Sequence, residues 1–151
     1  MKVVILFFCF VAVFLSGCAE GRPEELRRLE AMGLEQARSD FQKLPPHTQV
    51  RIVVWELEHR KPSSSRFDYL LDRNGWKVGP FLLAEAARAK SLDVNVTLLL
   101  ELADLGRLPI AGDDVQLVAA IARCYELGGQ ENRECEDLRL KLAAHVLRKG
   151  Q

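Results

Sequence analysis

Residues 47–60 read HTQVRIVVWELEHR, and whether this stretch is strand or helix decides the fold. Val50, Ile52 and Val54 alternate, as they would on a half-buried strand. Val50, Val53, Val54 and Leu57 also fall at helical spacing. Glu56, Leu57, Glu58 and Arg60 favour helix at the far end, and Pro46 suits a first helical turn. A lone strand is not viable, and the sequence offers no obvious partner for one. The stretch is therefore expected to be a helix, and the domain all-α.

Upstream, Pro23-Glu24-Glu25 has the form of a helix start, with proline first and acids in the first turn. Leu26, Leu29, Met32 and Ala37 trace an apolar stripe. One helix is expected from Pro23 to Leu44, weakened at Gly33 and stopped by Pro45-Pro46. Downstream, Lys61 to Ser65 reads as a loop. Ser65 is placed to cap a short helix through Leu71, which Asn74-Gly75 ends. A helix from Trp76 to Lys90 follows, regular from Pro80. Asp93 or Asn95 is expected to cap the next helix, which ends at Gly106. Arg107 to Asp114 reads as a loop. Asp113 or Asp114 caps a helix through Leu127 that stops at Gly128-Gly129, and Glu131 opens a last helix to Lys149. The pattern amounts to about seven helices joined by short connections.

Within it, GWKVGPFLLAEAARAK, residues 75–90, has a glycine turn before the onset Val78-Gly79-Pro80-Phe81-Leu82-Leu83. This stretch resembles a repeat helix of HEAT-like proteins, and the resemblance extends loosely over Val50 to Gly106. It implies short antiparallel helix pairs that stack. The expected fold is a single small helical bundle or short HEAT-like solenoid over residues 23–151.

The first residues, MKVVILFFCFVAVFLSGC, place Lys2 before an apolar run from Val3 to Leu15. The run fits a secretory leader and falls short of the about 20 residues of a membrane-spanning helix. Leu15-Ser16-Gly17-Cys18 resembles the lipobox of bacterial lipoproteins: an aliphatic residue, two small residues and a cysteine. The resemblance implies a cleaved leader at residues 1–17 and a diacylglyceryl group on Cys18, usually joined by a third acyl chain on the new amino terminus. Residues 18–22 would be the lipidated cysteine and a short linker. Each buried methylene contributes about 0.8 kcal/mol, so two or three chains hold a protein stably on a bilayer. An aspartate after the cysteine resembles the inner-membrane retention signal of many Gram-negative lipoproteins. Ala19 stands there instead, which in a Gram-negative cell points to the outer membrane, facing the periplasm.

With Lys2 removed, 20 basic side chains face 21 acidic ones, so no strong field draws the domain to nucleic acid. Of the four cysteines, Cys9 leaves with the leader and Cys18 takes lipid. Cys124 and Cys135 remain, in a compartment where disulfides persist. They lie equidistant from the Gly128-Gly129-Gln130 turn. Cys124 shares a helix face with Leu117 and Ile121, and Cys135 with Leu138, Leu142 and Val146. Both thiols should meet in one seam as a disulfide.

The motifs of catalysis and metal binding are missing. The histidines 47, 59 and 145 make no His-Glu-x-x-His pattern, and residues 131–139 lack the spacing of a calcium loop. Serines 63–65 have no nucleophile elbow around them, and Cys124 and Cys135 lack redox spacing. The carboxylates Asp68 and Asp72, and Asp113 and Asp114, read as caps and exposed faces. No metal or cofactor is expected. Trp76, at a helix start, is the candidate partner-binding residue, since an exposed tryptophan is a common hot spot. Function is expected to be protein binding by a tethered envelope module. The alternatives are a periplasmic immunity protein against a toxin, or a cell-wall or lipid hydrolase.

Overall fold

The computed structural model describes residues 21–62 and 64–147. HTQVRIVVWELEHR is helical. It forms most of α3, Pro46–His59, behind α1, Glu24–Glu30, and α2, Leu34–Lys43. Pro46 sits in the first turn of α3, and Leu44, before Pro45, is extended, as the proline ring requires of its predecessor. The buried positions of α3 are Thr48, Gln49, Val50, Ile52, Val53, Glu56 and Leu57, which recur at the three-and-four spacing of one helix face.

The single helix expected over 23–44 is two. It breaks at Met32-Gly33, where Gly33 is extended and serves as the N-cap of α2. Glycine makes the break cheap, because it contributes least to a helix interior. The break lets Leu26 and Leu29 of α1 and Ala37 and Phe41 of α2 all enter the core.

Two 3₁₀ turns follow, Asp68–Leu70 and Asp72–Lys77, the second kinked at Gly75 with φ +52°. They stand where a short helix was expected, and Trp76 belongs to them. The next helix, α4, spans Gly79–Ala87 with Pro80 in its first turn. Then come α5, Leu92–Asp104, α6, Val115–Gly128, and α7, Arg133–His145. Ser91 caps α5 by accepting from the Val94 N–H, so neither Asp93 nor Asn95 is the cap. Asn95 is instead fully buried. Its Nδ2 donates to the carbonyls of Ala86 (2.8 Å) and Ala120 (3.1 Å), tying α5 to α4 and α6. Asp114 caps α6, and Asn132, rather than Glu131, caps α7. Gly129 closes α6 at φ +89°, a backbone setting that favours glycine.

Two further expectations are corrected together. Leu108–Ala111, read as loop, is a strand, β1, and it pairs in parallel with β2, Val146–Leu147. The last helix therefore ends at His145 and not at Lys149. A parallel pair needs a long crossover, which here is the α6–α7 hairpin.

The architecture is all-α: seven α-helices among the described residues, in a small bundle. α4, α5, α6 and α7 form its larger cluster, with α4 against α5 and α6 and α5 against both helices of the hairpin. α1 packs with α2, and α3 joins the two parts through α4 and α5. Phe41 and Phe67 stack with ring centroids 4.6 Å apart at the centre of the α1–α3 side. Two buried polar groups fix the loops there. Gln49 donates to the carbonyl of Leu44 (2.9 Å) and accepts from Asn74 (2.8 Å). Glu56, wholly buried, accepts from the Ser65 hydroxyl (2.6 Å), the Arg66 N–H (3.0 Å) and the Arg60 guanidinium (2.7 Å).

Candidate partner-binding face

The sequence VQLVAAIA, residues 115–122, has one polar side chain in eight. A helix that is apolar all round is normally covered all round. Here Leu117, Ala120 and Cys124 face the core, while Val115, Val118, Ala119 and Ala122 face solvent at helical spacing. Val115 is 81% exposed and Val118 51%, and on the neighbouring helix Leu140 is 53% exposed, so three large aliphatic side chains are more wet than dry.

Between the two helices runs an apolar groove of about 330 Å³, walled by Val118, Ile121, Ala122, Tyr125, Arg139 and Ala143. The two helices are tied together by the Cys124–Cys135 disulfide, whose Cα atoms are 5.7 Å apart. Both cysteines are buried, as the equal-height argument requires. The disulfide joins α6 one turn before its end to the first turn of α7, so the hairpin cannot slide in register.

One end of the groove carries a polar clasp. The Tyr125 hydroxyl donates to Glu136 at 2.7 Å, and Arg139 grips the same carboxylate with Nε at 2.8 Å and Nη2 at 2.6 Å. The Arg139 and Tyr125 hydrogen bonds hold the Glu136 carboxyl down at about 2. The same bond to Glu136 raises the Tyr125 phenol, because losing its proton would set two anions side by side. This clasp links the walls of the groove across the disulfide.

Trp76, the residue singled out from sequence, lies half-buried beside a second hollow of about 440 Å³ with Pro80, Leu83, Ile110 and Val115. Its indole covers Gly79, where a Cβ would collide with the ring. Residues Asp114 to Gln116 at the head of α6 border this hollow, and Leu117 to Tyr125 border the groove. Trp76 thus adjoins the exposed apolar face without belonging to the groove. Trp55 is also half-buried, with His59 stacked on it at 4.2 Å and Arg22 5.6 Å from the ring centroid.

Compared with known proteins, the chain matches no family model, no curated protein and no solved structure. The functional reading rests on the residues themselves.

Other chemistry-bearing residues are dispersed. Among the described residues, no three His, Cys, Asp or Glu side chains are grouped to hold a metal ion. His47 contacts Phe81, and His59 lies over Trp55. Glu101, on α5, is half-buried. Burial, then the charges of Asp68, Asp104 and Asp72, push its carboxyl up to about 7. The lipobox, Leu15 to Cys18, lies outside the described residues. Among those described, no helix is long and apolar enough to cross a membrane.

Sequence reasoning found the disulfide and missed the groove between the two helices that it joins. The available signal was the scarcity of polar residues in 115–122, which exceeds what one buried face requires.

Proposed function

We propose that this chain is a lipid-anchored envelope protein that binds a protein partner along the α6–α7 groove. The observation that carries the reading is the exposed apolar face of α6 and α7, held rigid by the Cys124–Cys135 disulfide. Exposed aliphatics in a continuous patch mark binding surfaces. The groove runs between two antiparallel helices, so the segment that fills it by ordinary helix packing is a third helix, with apolar side chains at i, i+3, i+4 and i+7. A disulfide between the two helices lowers the ordering cost of binding, because the walls are already in place.

The tether enters from the sequence alone. Cys18, carrying acyl chains on the outer membrane, would confine the domain to a thin shell. That raises its effective concentration against other envelope components. An immunity protein would use the same face, its partner then being a toxin.

The test is site-specific photocrosslinking in intact cells, with the reactive side chain at position 118 and, as an off-face control, at position 27. The expected result is one dominant adduct at 118, mapped to an amphipathic helix of the partner, lost when Ala122→Asp is added on the same groove wall and reduced in Cys18→Ala. Adducts of equal pattern at 118 and 27 would refute the groove. Unchanged lipid labelling of Cys18→Ala would refute the tether.

A further inference from the structure

Away from the groove, α2 presents Glu35, Arg38, Ser39 and Gln42 on one face, at i, i+3, i+4 and i+7. Across from them the 3₁₀ turns place Tyr69 and Arg73, and the two sides enclose a hollow of about 330 Å³. That is the lower end of the range of small-ligand sites, roughly 300–1,000 Å³.

The lining is rich in donors. Arg38, Arg73, Gln42, Ser39 and Tyr69 all carry N–H or O–H groups, and Glu35 is the one carboxylate. Glu35 is already engaged, by Nη1 of Arg38 at 2.7 Å. Asp68 and Asp72 neighbour Tyr69 and Arg73 in sequence but do not line the hollow, and their charge acts on Glu101 of α5.

Two of the donors are unmet. Arg38 Nε and Gln42 Nε2 are shielded from water and have no hydrogen-bond partner. Shielded donors without acceptors are uncommon, and one explanation is an absent ion or ligand. The Nε–Nη2 edge of a guanidinium is a flat fork that matches two oxygens of one carboxylate or phosphate. Tyr69 holds that plane in position, with the Arg38 Cζ 5.5 Å from its ring centroid. Gln42 lies one turn further along the same face. Arg73, exposed and with no ion-pair partner among the described residues, adds a second positive charge.

We infer that the α2–3₁₀ hollow is a binding site for a small oxyanion ligand, gripped by the Arg38 fork and Gln42 and faced by Arg73. Modest side-chain movement suffices to admit an oxygen to the two shielded donors, because both sit on long, flexible stems. Carboxylate and phosphate share this chemistry, and the experiment separates them.

The full mature protein is titrated with inorganic phosphate and, separately, with acetate, by calorimetry. Chloride keeps the ionic strength constant. The expected result is saturable binding of one of them, with a dissociation constant of about 1 mM or tighter. Arg73→Ala, on the surface, and Arg38→Lys, which removes the fork, should each weaken it at least about tenfold. Arg27→Ala on α1 should leave it unchanged. Gln42→Leu should weaken binding yet raise the melting temperature of the ligand-free protein, since it deletes an unmet donor. Saturation by phosphate alone assigns a phosphate ester, and by acetate alone a carboxylate. If neither anion saturates, or Arg73→Ala and Arg38→Lys bind like the parent, the site is overturned.

Discussion

Replacing Cys124 and Cys135 together by alanine tests how the hairpin is held. The bridge spans a sequence separation of 11. Cross-linking a loop of that length removes about 9 cal/mol/K from the unfolded chain, or roughly 2.8 kcal/mol at 25 °C. Two buried sulfur atoms are lost as well, worth about 1–2 kcal/mol together. The expected destabilisation is therefore about 4 kcal/mol, and for a domain of this size the melting temperature should fall by roughly 10–20 °C. Urea unfolding followed by circular dichroism is the assay. The slope with urea should rise in the variant, because its unfolded state, freed of the cross-link, exposes more surface. Native helix content should stay unchanged, since the seam is otherwise apolar. A loss below about 1 kcal/mol with an unchanged slope would refute the reasoning. It would mean that the α6–α7 turn is already ordered in the unfolded chain.

Four other substitutions probe the rest of the fold. Glu101, raised to about 7, has a folded value above its unfolded one, so it holds its proton in the folded state after the unfolded chain has lost it. Its cost is absent below pH 4.5, grows up to pH 7 and is complete above that. Discounted for solvent screening it is about 1–2 kcal/mol. Glu101→Gln should raise the melting temperature at pH 8 and leave it unchanged at pH 4; equal effects at both would contradict the assignment. Glu56→Gln should cost about 3 kcal/mol in urea unfolding, because Arg60 and Arg66 lose a buried partner, and a loss under 1 kcal/mol would show the cluster to be dispensable. Gly79→Ala should cost about 1–3 kcal/mol by driving a Cβ into the Trp76 indole, and Trp76→Ala should remove most of that penalty in a double-mutant cycle.

What was legible in the sequence was local. The α3 stretch declares itself because its apolar residues serve one helix face, and the proline pair fixes where it starts. The disulfide declares itself because two cysteines equidistant from a tight turn share a height on antiparallel helices. Long-range facts were hidden. Leu108–Ala111 becomes a strand only because Val146–Leu147 arrives beside it, more than thirty residues later. Asn95 has the composition of a cap and the position of a core residue. Its Nδ2 meets the carbonyls of Ala86 and Ala120, partners that come from two other helices and that local sequence does not announce. Trp76 stands out in the sequence by its place at a helix start. The 3₁₀ turn there lays the indole over Gly79, which takes part of it out of solvent.

The apolar groove and the donor-rich hollow are departures of opposite kinds from the same rule, that local sequence and local environment agree. In α6, apolar residues stand where a single-faced helix would carry polar ones, and the excess is exposed. In α2, polar residues stand where their hydrogen bonds go unmade. Neither departure helps the isolated fold: exposed Val115 and Val118 gain nothing from burial, and the orphan donors of Arg38 and Gln42 lose their water for no partner. The two features belong to different parts of the bundle, the hairpin and the α2 side. A substitution that repairs one should therefore leave the other intact. Ala122→Asp should abolish the crosslink from position 118 without changing anion binding, and Arg73→Ala should do the reverse. Loss of both functions in either variant would mean that the two surfaces serve one composite site.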